Sequence, residues 1–163
     1  MKAGKEVRDG RKRPEEAAMN HDRYPDSYIR TILSSVHTIA VLGASPNDGR
    51  PSHGVMGFLL GKGYRVIPVN PGHAGKTILG QTVYAHLADI PDAIDMVDVF
   101  RAASQFDAVV DEVLAMKPMP RVLWGQFSVR DDAAAARAEA AGIQVVMDRC
   151  PVTEYPVLML KAS

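Results

Sequence analysis

The chain has 163 residues, of which 47% are hydrophobic, with 19 basic and 19 acidic side chains. This length and composition fit one globular domain with a proper core. A formal net charge of +0 argues against a protein that binds nucleic acid or a membrane surface through a large positive excess. The single cysteine, Cys150, excludes an internal disulfide and a multi-thiolate zinc site, so we expect a reducing, cytoplasmic location.

The N-terminal 22 residues differ in composition from the rest of the chain. Residues 1–22 are polar and mixed in charge, so we predict a flexible leader there and a single domain over 23–163. Acidic residues dilute the basic ones, which disfavours an arm that binds nucleic acid. No apolar stretch approaches the roughly 20 residues that span a bilayer. The histidines fall at no metal-ligand spacing. We therefore predict no metal, nucleic-acid or membrane partner.

The first half of the chain alternates between helical and strand patterns. Apolar residues recur at helical spacing after Asp26, a candidate N-cap. The continuous apolar run Thr38–Leu42 is typical of a strand buried on both faces. Residues 52–62 predict a second helix, and residues 65–69 predict a second strand.

The second half continues the alternation after an irregular stretch. Residues 73–91 predict a loop with a short extended piece and a helical turn near Leu87. Strands are predicted at 95–100, 121–124 and 143–147, followed by a short tail. Capping patterns at Ser104 with Asp107, and at Ser128 with Asp131, open the helices between them. This order predicts a Rossmann-like, doubly wound α/β sheet, mainly parallel, of about five strands with helices on both faces.

In such a sheet, ligands bind beyond the carboxyl ends of the strands, where the strand order reverses. This rule selects the loops after the first three strands. Their candidate residues are Gly43, Ala44, Ser45, Pro46, Asn47, Arg50 and His53, then Val69, Asn70, Pro71, His73 and Lys76, then Val99, Phe100 and Arg101. Gly43 lets the chain leave its strand tightly and lets a phosphate approach, and the helix N-terminus that follows favours an anion. An ordinary strand-to-helix turn remains the alternative, because the G-x-G-x-x-G spacing is absent.

The second and third loops bear on the kind of nucleotide. NAD-binding proteins typically carry an acid at the end of the second strand, where this chain has Asn70. His73 and Lys76 instead favour a phosphorylated ribose, as found in coenzyme A and in NADP. Phe100 is a candidate for packing on the ligand, and Arg101 for contacting a phosphate. The residues alone leave coenzyme A and NADP open.

The chain resembles small stand-alone CoA-binding proteins, which are similar to the nucleotide-binding domain of the succinyl-CoA synthetase α subunit. The resemblance covers residues 25–158 and rests on the stretches 39–47, 50–52, 63–71, 79–80, 87–91, 97–101 and 146–150. It implies a Rossmann-like fold and a coenzyme A ligand held by residues 43–46, His73 and residues 99–101. The synthetase has a lysine where His73 stands, and Lys76 offers a nearby cation.

The resemblance also bears on activity. The synthetase α subunit has a second domain that carries a phosphorylated histidine, and it works with a partner β subunit. We expect this chain to contain neither. We therefore predict a protein that binds coenzyme A or acyl-CoA as a carrier, sensor or regulator, without catalytic residues or activity of its own. The alternatives are a small NADP-dependent oxidoreductase and the CoA-binding subunit of a multichain acyl-CoA ligase. A homo-oligomer or a partner subunit is compatible with each. A mixed disulfide between Cys150 and the CoA thiol competes with a packed, unreactive cysteine.

Overall fold

A computed structural model of the chain describes residues 19–160. The first half contains helix α1 (Asp26–Ser35), strand β1 (Thr38–Leu42), helix α2 (Pro51–Gly61), strand β2 (Arg65–Val69), a 3-10 turn (Pro71–His73), a hairpin of β3 (Thr77–Ile78) and β4 (Gln81–Thr82), and a second 3-10 turn (Leu87–Asp89). The second half contains β5 (Met96–Val99), a 3-10 turn (Ala103–Gln105), α3 (Phe106–Leu114), β6 (Val122–Gly125), α4 (Asp132–Ala140), β7 (Gln144–Val146), α5 (Pro151–Tyr155) and a π-helical turn (Pro156–Leu160).

Five of the strands form one parallel sheet in the order β2-β1-β5-β6-β7. The chain builds outward from β1 to β2, then returns to the other side of β1 and continues to β7. The strand order therefore reverses between β1 and β5, which defines the switch point of the sheet. The Rossmann-like α/β prediction is confirmed, and β1 and β2 have the predicted bounds.

Strand side chains alternate between two core layers, one on each face of the sheet. Leu42 and Val97 belong to the layer covered by α3 and α4. Val41 and Trp124 belong to the layer covered by α1 and α2. Because helices cover both faces, the central strands are apolar except at Asp98 of β5, which is fully buried, and they lack the polar alternation of a half-exposed sheet.

Three helix starts differ from the predictions. Asp26 lies in the first turn of α1, whose N-cap is Pro25. Ser104 lies in the 3-10 turn before α3, and that helix has no side-chain cap. Ser128 does not cap α4; Asp131 does, and its Oδ1 accepts a hydrogen bond from the N–H of Ala134 at 3.1 Å.

The predicted short tail is helical. Pro151 occupies the first turn of α5, where a proline needs no N–H, and the chain then continues into the π-helical turn. Tyr155 packs edge-on against Phe58 and Tyr64, and Leu158 is buried in the core layer under α1 and α2. The tail thus completes one face of the sheet. Among residues 19–160, no helix is long and apolar enough to cross a membrane.

The two outer strands of the sheet contact other parts of the chain. Tyr28 donates its hydroxyl hydrogen to the carbonyl of Val145, and the Tyr24 hydroxyl accepts from the N–H of Met147 at 2.8 Å. Burial raises the pKa of Tyr24 to about 12, so this hydroxyl stays protonated at neutral pH. At the other edge, Tyr84 beside the hairpin forms a bridge with Val69 of β2.

The sequence predicts a flexible leader over residues 1–22. Residues 1–18 of this leader lie outside the described residues. Its last residues pack on the domain: His21 is 6% exposed, and its Nδ1 lies 2.6 Å from the Tyr24 hydroxyl. Asp22 forms an ion pair with Arg130 at 2.9 Å. The folded part therefore begins before the predicted boundary at residue 23.

Replacing Asp131 with alanine removes the carboxylate that caps α4. We expect Asp131→Ala to lower the free energy of unfolding by about 1 kcal/mol, measured by urea denaturation. Ser104→Ala is the matched control, because Ser104 makes no capping hydrogen bond, and its effect should stay within about 0.5 kcal/mol. Equal losses in the two variants would contradict the assignment of Asp131 as the cap.

Candidate functional site

A cleft of about 400 Å³ opens at the carboxyl edge of the sheet, at the switch point. It lies among the N-terminus of α2 and the loops that follow β1, β5 and β6. Its lining residues are Gly43, Arg50, Pro51, Ser52, Phe100, Arg101, Gln126, Phe127 and Val129. This is the place where doubly wound sheets bind their ligands.

Gly43 brings the loop after β1 into main-chain contact with the loop after β5. It has a φ of +92°, and a Cβ at this position would lie 2.5 Å from the carbonyl oxygen of Phe100. The N–H groups of Gly43 and Ala44 both donate to the carbonyl of Val69, so neither is free for an anion. Loop packing is therefore sufficient by itself to require a glycine at this position.

The rest of the first loop is ordered by its own polar side chains. The N–H of Ser45 donates to Ser52 Oγ at 3.1 Å, and the N–H of Asn47 donates to Ser45 Oγ at 3.1 Å. Asn47 Oδ1 accepts from the N–H of Gly49 at 2.8 Å. Among residues 19–160 the Ser45 hydroxyl donates no hydrogen bond, so its own hydrogen is available for a ligand acceptor. These hydrogen bonds fix the conformation of the loop before a ligand binds.

Positive groups gather at one end of the cleft. Helix α2 begins with Pro51 and has no acid in its first turn, and the N–H of Ser52 has no partner among the described residues. Arg50 stands exposed at the N-cap of this helix. Arg101 lies 3.7 Å from Glu112, a long and solvent-screened pairing. A helix N-terminus with two guanidinium groups favours an anion.

Apolar side chains supply another part of the lining. Phe100 is half-buried and Val129 is buried. Phe127, by contrast, is 56% exposed, although large aromatic side chains normally bury most of their surface. Exposed apolar surface beside charged groups suits a ligand that carries both an apolar body and anionic groups.

The second loop is tied to the first by Asn70. Its Nδ2 donates to the carbonyl of Ala44 at 2.7 Å, and its Oδ1 accepts from the N–H of Gly72 at 2.9 Å. Asn70 therefore positions two loops. His73 and Lys76 follow on the same loop, and neither has an acidic partner among the described residues.

The structure divides the predicted site residues into three groups. Gly43, Arg50, Phe100 and Arg101 line the cleft. Ala44, Val69 and Val99 are fully buried, so they support the loops and offer no surface to a ligand. The others lie outside the cleft lining and are partly or fully exposed, on the loops after β1 and β2 and, for His53, in the first turn of α2, namely Ser45, Pro46, Asn47, His53, Asn70, Pro71, His73 and Lys76.

The sequence interpretation missed the contribution of the loop after β6. A Cβ on Gly125 would lie 2.6 Å from the carbonyl of Val129, so the chain turns back tightly there. Asp148 Oδ1 accepts from the N–H of Ser128 at 2.7 Å, and this contact fixes the loop. The one available signal was the glycine at the strand end. Cys150 is buried in the core layer under α1 and α2, outside the cleft lining.

The fold and the cleft define a class: doubly wound α/β proteins with a positively charged pocket at the switch point. Residues 37–156 match the family model described as CoA binding domain, and the chain belongs to that family. It is 34% identical over 122 residues to the uncharacterized protein YneT of Bacillus subtilis (strain 168), covering 75% of this chain and 87% of YneT.

Solved structures also share the fold of this chain. A protein from Thermus thermophilus is 39% identical, with a TM-score of 0.78 over 83% of this chain and 100% of that one. A hypothetical protein from Pyrococcus horikoshii OT3 is 34% identical, with a TM-score of 0.78 over 87% of this chain and 97% of that one. A dinucleotide-forming acetyl-coenzyme A synthetase from Ca. Korarchaeum cryptofilum shares the fold at 22% identity, with a TM-score of 0.54 over 66% of this chain and 25% of that one.

Gly43 and Gly63 allow the close approach to be separated from backbone strain. Both have φ near +90°, but a Cβ on Gly63 meets nothing within 4 Å. We expect Gly63→Ala to lower the free energy of unfolding by about 1–2 kcal/mol, and Gly43→Ala by about 1–3 kcal/mol more, in urea denaturation. Equal losses would show that the Phe100 carbonyl moves away from an added Cβ at little cost in free energy.

Proposed function

We propose that this chain binds coenzyme A or acyl-CoA at the switch point as a carrier, sensor or regulator, with no chemistry of its own. One observation carries the proposal: the cleft combines Arg50, Arg101 and a helix N-terminus with exposed aromatic surface, and none of its nine lining residues is acidic. Coenzyme A has both parts of the matching chemistry, since it joins phosphates to an adenine ring and a long pantetheine arm. Membership of the CoA-binding domain family supports the same ligand.

The charges suggest how the ligand lies. The pyrophosphate belongs at the positive end of the cleft, near Arg50, Arg101 and the N–H of Ser52, which no residue within 19–160 engages. The 3′-phosphate of the ribose belongs near His73 and Lys76, because β2 neighbours β1 and their loops meet at the same edge of the sheet. The likeness to the acetyl-coenzyme A synthetase concerns the fold alone, and no specific observation favours a ligase subunit.

Calorimetric titration with coenzyme A, NADP and NAD tests the proposed ligand. We expect binding of coenzyme A at least about tenfold tighter than that of either dinucleotide, which corresponds to about 1.4 kcal/mol. Tight binding of NADP without binding of coenzyme A would overturn the proposal in favour of a small oxidoreductase.

Arg101→Gln should weaken coenzyme A about tenfold or more, since a hydrogen bond to a charged group contributes about 1.5–3 kcal/mol. Arg65→Gln is the matched control, because Arg65 lies at the amino-terminal end of β2, whereas the cleft lies at the carboxyl ends of the strands. Equal effects of the two changes would show that the arginine acts only through net charge.

The second loop is tested by removing one phosphate from the ligand. The wild-type protein should bind coenzyme A more tightly than 3′-dephospho-CoA, because His73 and Lys76 attract the additional charge. His73→Ala with Lys76→Ala should remove that preference, whereas Arg101→Gln should weaken both ligands equally. A preference that survives the double change would place the 3′-phosphate elsewhere.

A further inference from the structure

The loop after β6 makes a tight turn at the cleft. The N–H of Val129 donates to the carbonyl of Gln126 at 2.8 Å, and Ser128, the third residue of the turn, has a φ of +70°. This hydrogen bond and this φ indicate a type II turn, whose third residue is normally glycine. Serine seldom adopts a positive φ, so the turn is strained and its surroundings must hold it in place.

Asp148, in the loop after β7, holds this turn. Its Oδ1 accepts the hydrogen bond from the N–H of Ser128 at 2.7 Å. Asp148 itself has a φ of +58°, which aspartate tolerates better than most residues do. The N–H of Arg149 donates to the carbonyl of Gly125 at 3.3 Å, so a second contact joins the same two loops. The strained turn is therefore fixed by the neighbouring strand's loop.

The residue that this turn presents is Phe127. It is 56% exposed and lines the cleft, whereas Gln126 and Val129 at the two ends of the turn are only 6% and 5% exposed. None of residues 125–129 is charged, and the next residue, Arg130, pairs with two acids. The turn thus holds an uncharged aromatic surface at this end of the cleft, where strain is most often retained for function.

The order of the strands relates this surface to the charged groups. Arg50 begins α2 after β1, Arg101 follows β5, and β6 is next to β5 on the side away from β2. A ligand with its ribose phosphate at the β2 loop and its pyrophosphate near the two arginines must extend the rest of its length toward β6. In coenzyme A this remaining part is the uncharged, largely aliphatic pantetheine arm. In NADP it begins with a hydroxylated ribose.

We propose that the turn at residues 126–129 is the subsite for the pantetheine arm, where Phe127 selects coenzyme A over NADP and Asp148 positions Phe127. The inference rests on the proposed function, because it assigns a further part of the same ligand. Phe127 packs on the arm, and Asp148 acts through the main chain of Ser128 without touching the ligand. The ring is held at the cleft before the ligand arrives, so binding does not have to order it.

The test of Phe127 compares coenzyme A with adenosine 3′-phosphate 5′-diphosphate, which keeps the adenine and all the phosphates but lacks the arm. In calorimetry, Phe127→Ser should weaken coenzyme A about tenfold, because apolar contact is lost, and should leave the truncated ligand within about twofold. The truncated ligand is measured by displacement of coenzyme A if direct titration is too weak. The preference for coenzyme A over NADP should fall by a similar factor.

Met119→Ser is the matched control for Phe127→Ser. Met119 is 39% exposed and lies before the amino-terminal end of β6, away from the cleft. Its replacement also removes an exposed apolar side chain, so it should leave both affinities unchanged. Urea denaturation should show both variants folded, because neither side chain is buried in the core.

The test of Asp148 uses a variant that removes the acceptor and keeps the backbone conformation. Asp148→Gly should weaken coenzyme A about fivefold and leave the truncated ligand unchanged, whereas a merely structural role would weaken both ligands or neither. Asp148→Asn keeps Oδ1 and tolerates the positive φ, so it should stay within about twofold of wild type. Asp148→Ala, which leaves less freedom to the unfolded chain, replaces Asp148→Gly if the glycine variant does not fold.

Each outcome decides the inference. Binding of coenzyme A by the wild type with an unchanged affinity in Phe127→Ser would overturn it and leave the proposed function standing. Equal weakening of both ligands would place Phe127 on the adenosine half and would also overturn it. A further loss from Asp148→Gly in the Phe127→Ser background would overturn the positioning role, since two changes that remove one contact should not add. No binding of coenzyme A by the wild type would overturn both proposals.

Discussion

The main-chain contact between Gly43 and Phe100 determines where the cleft can be. It joins the loops of the two central strands at a distance that excludes any Cβ, and the N–H of Phe100 also donates to the carbonyl of Leu42 at 2.8 Å. Asn70 adds the second loop by bonding to Ala44. Three loops therefore form one preorganised edge, and the open space remains on the side of β6. A ligand entering there meets groups whose positions are already fixed, which reduces the ordering that binding requires.

The sheet was predictable because burial on both faces makes strands such as β1 and β2 nearly continuous apolar runs. Strands β1 and β2 consequently have the bounds that the sequence indicated. Helix starts were less predictable, since a serine followed three residues later by an aspartate is common and caps only where the surrounding structure allows it. The N–H of Ser128 is taken by Asp148, so the cap of α4 falls on Asp131. The tail contains Pro151 and Pro156, and for this reason the sequence did not indicate that it is helical.

The candidate site was predictable only in part. The general rule for doubly wound sheets located the loops after β1 and β5, with Arg50, Phe100 and Arg101 in the cleft lining. The loop after β6 was missed because local sequence does not state which strands are neighbours. Ser128 and Asp148 are separated by 20 positions, and each is unremarkable alone, in a loop that follows a strand. Only the pairing of β6 with β7 brings them together.

The contacts along the two outer strands also affect how the protein behaves in a crowded solution. An uncovered outer strand is a template for pairing with another chain and a common starting point of aggregation. Tyr28 occupies a main-chain carbonyl of β7, Tyr24 occupies the N–H of the residue that follows β7, and Tyr84 with the adjoining hairpin covers β2. Neither margin of the described sheet is thus an open row of hydrogen-bonding groups. A second chain that paired along either outer strand would have to displace these contacts.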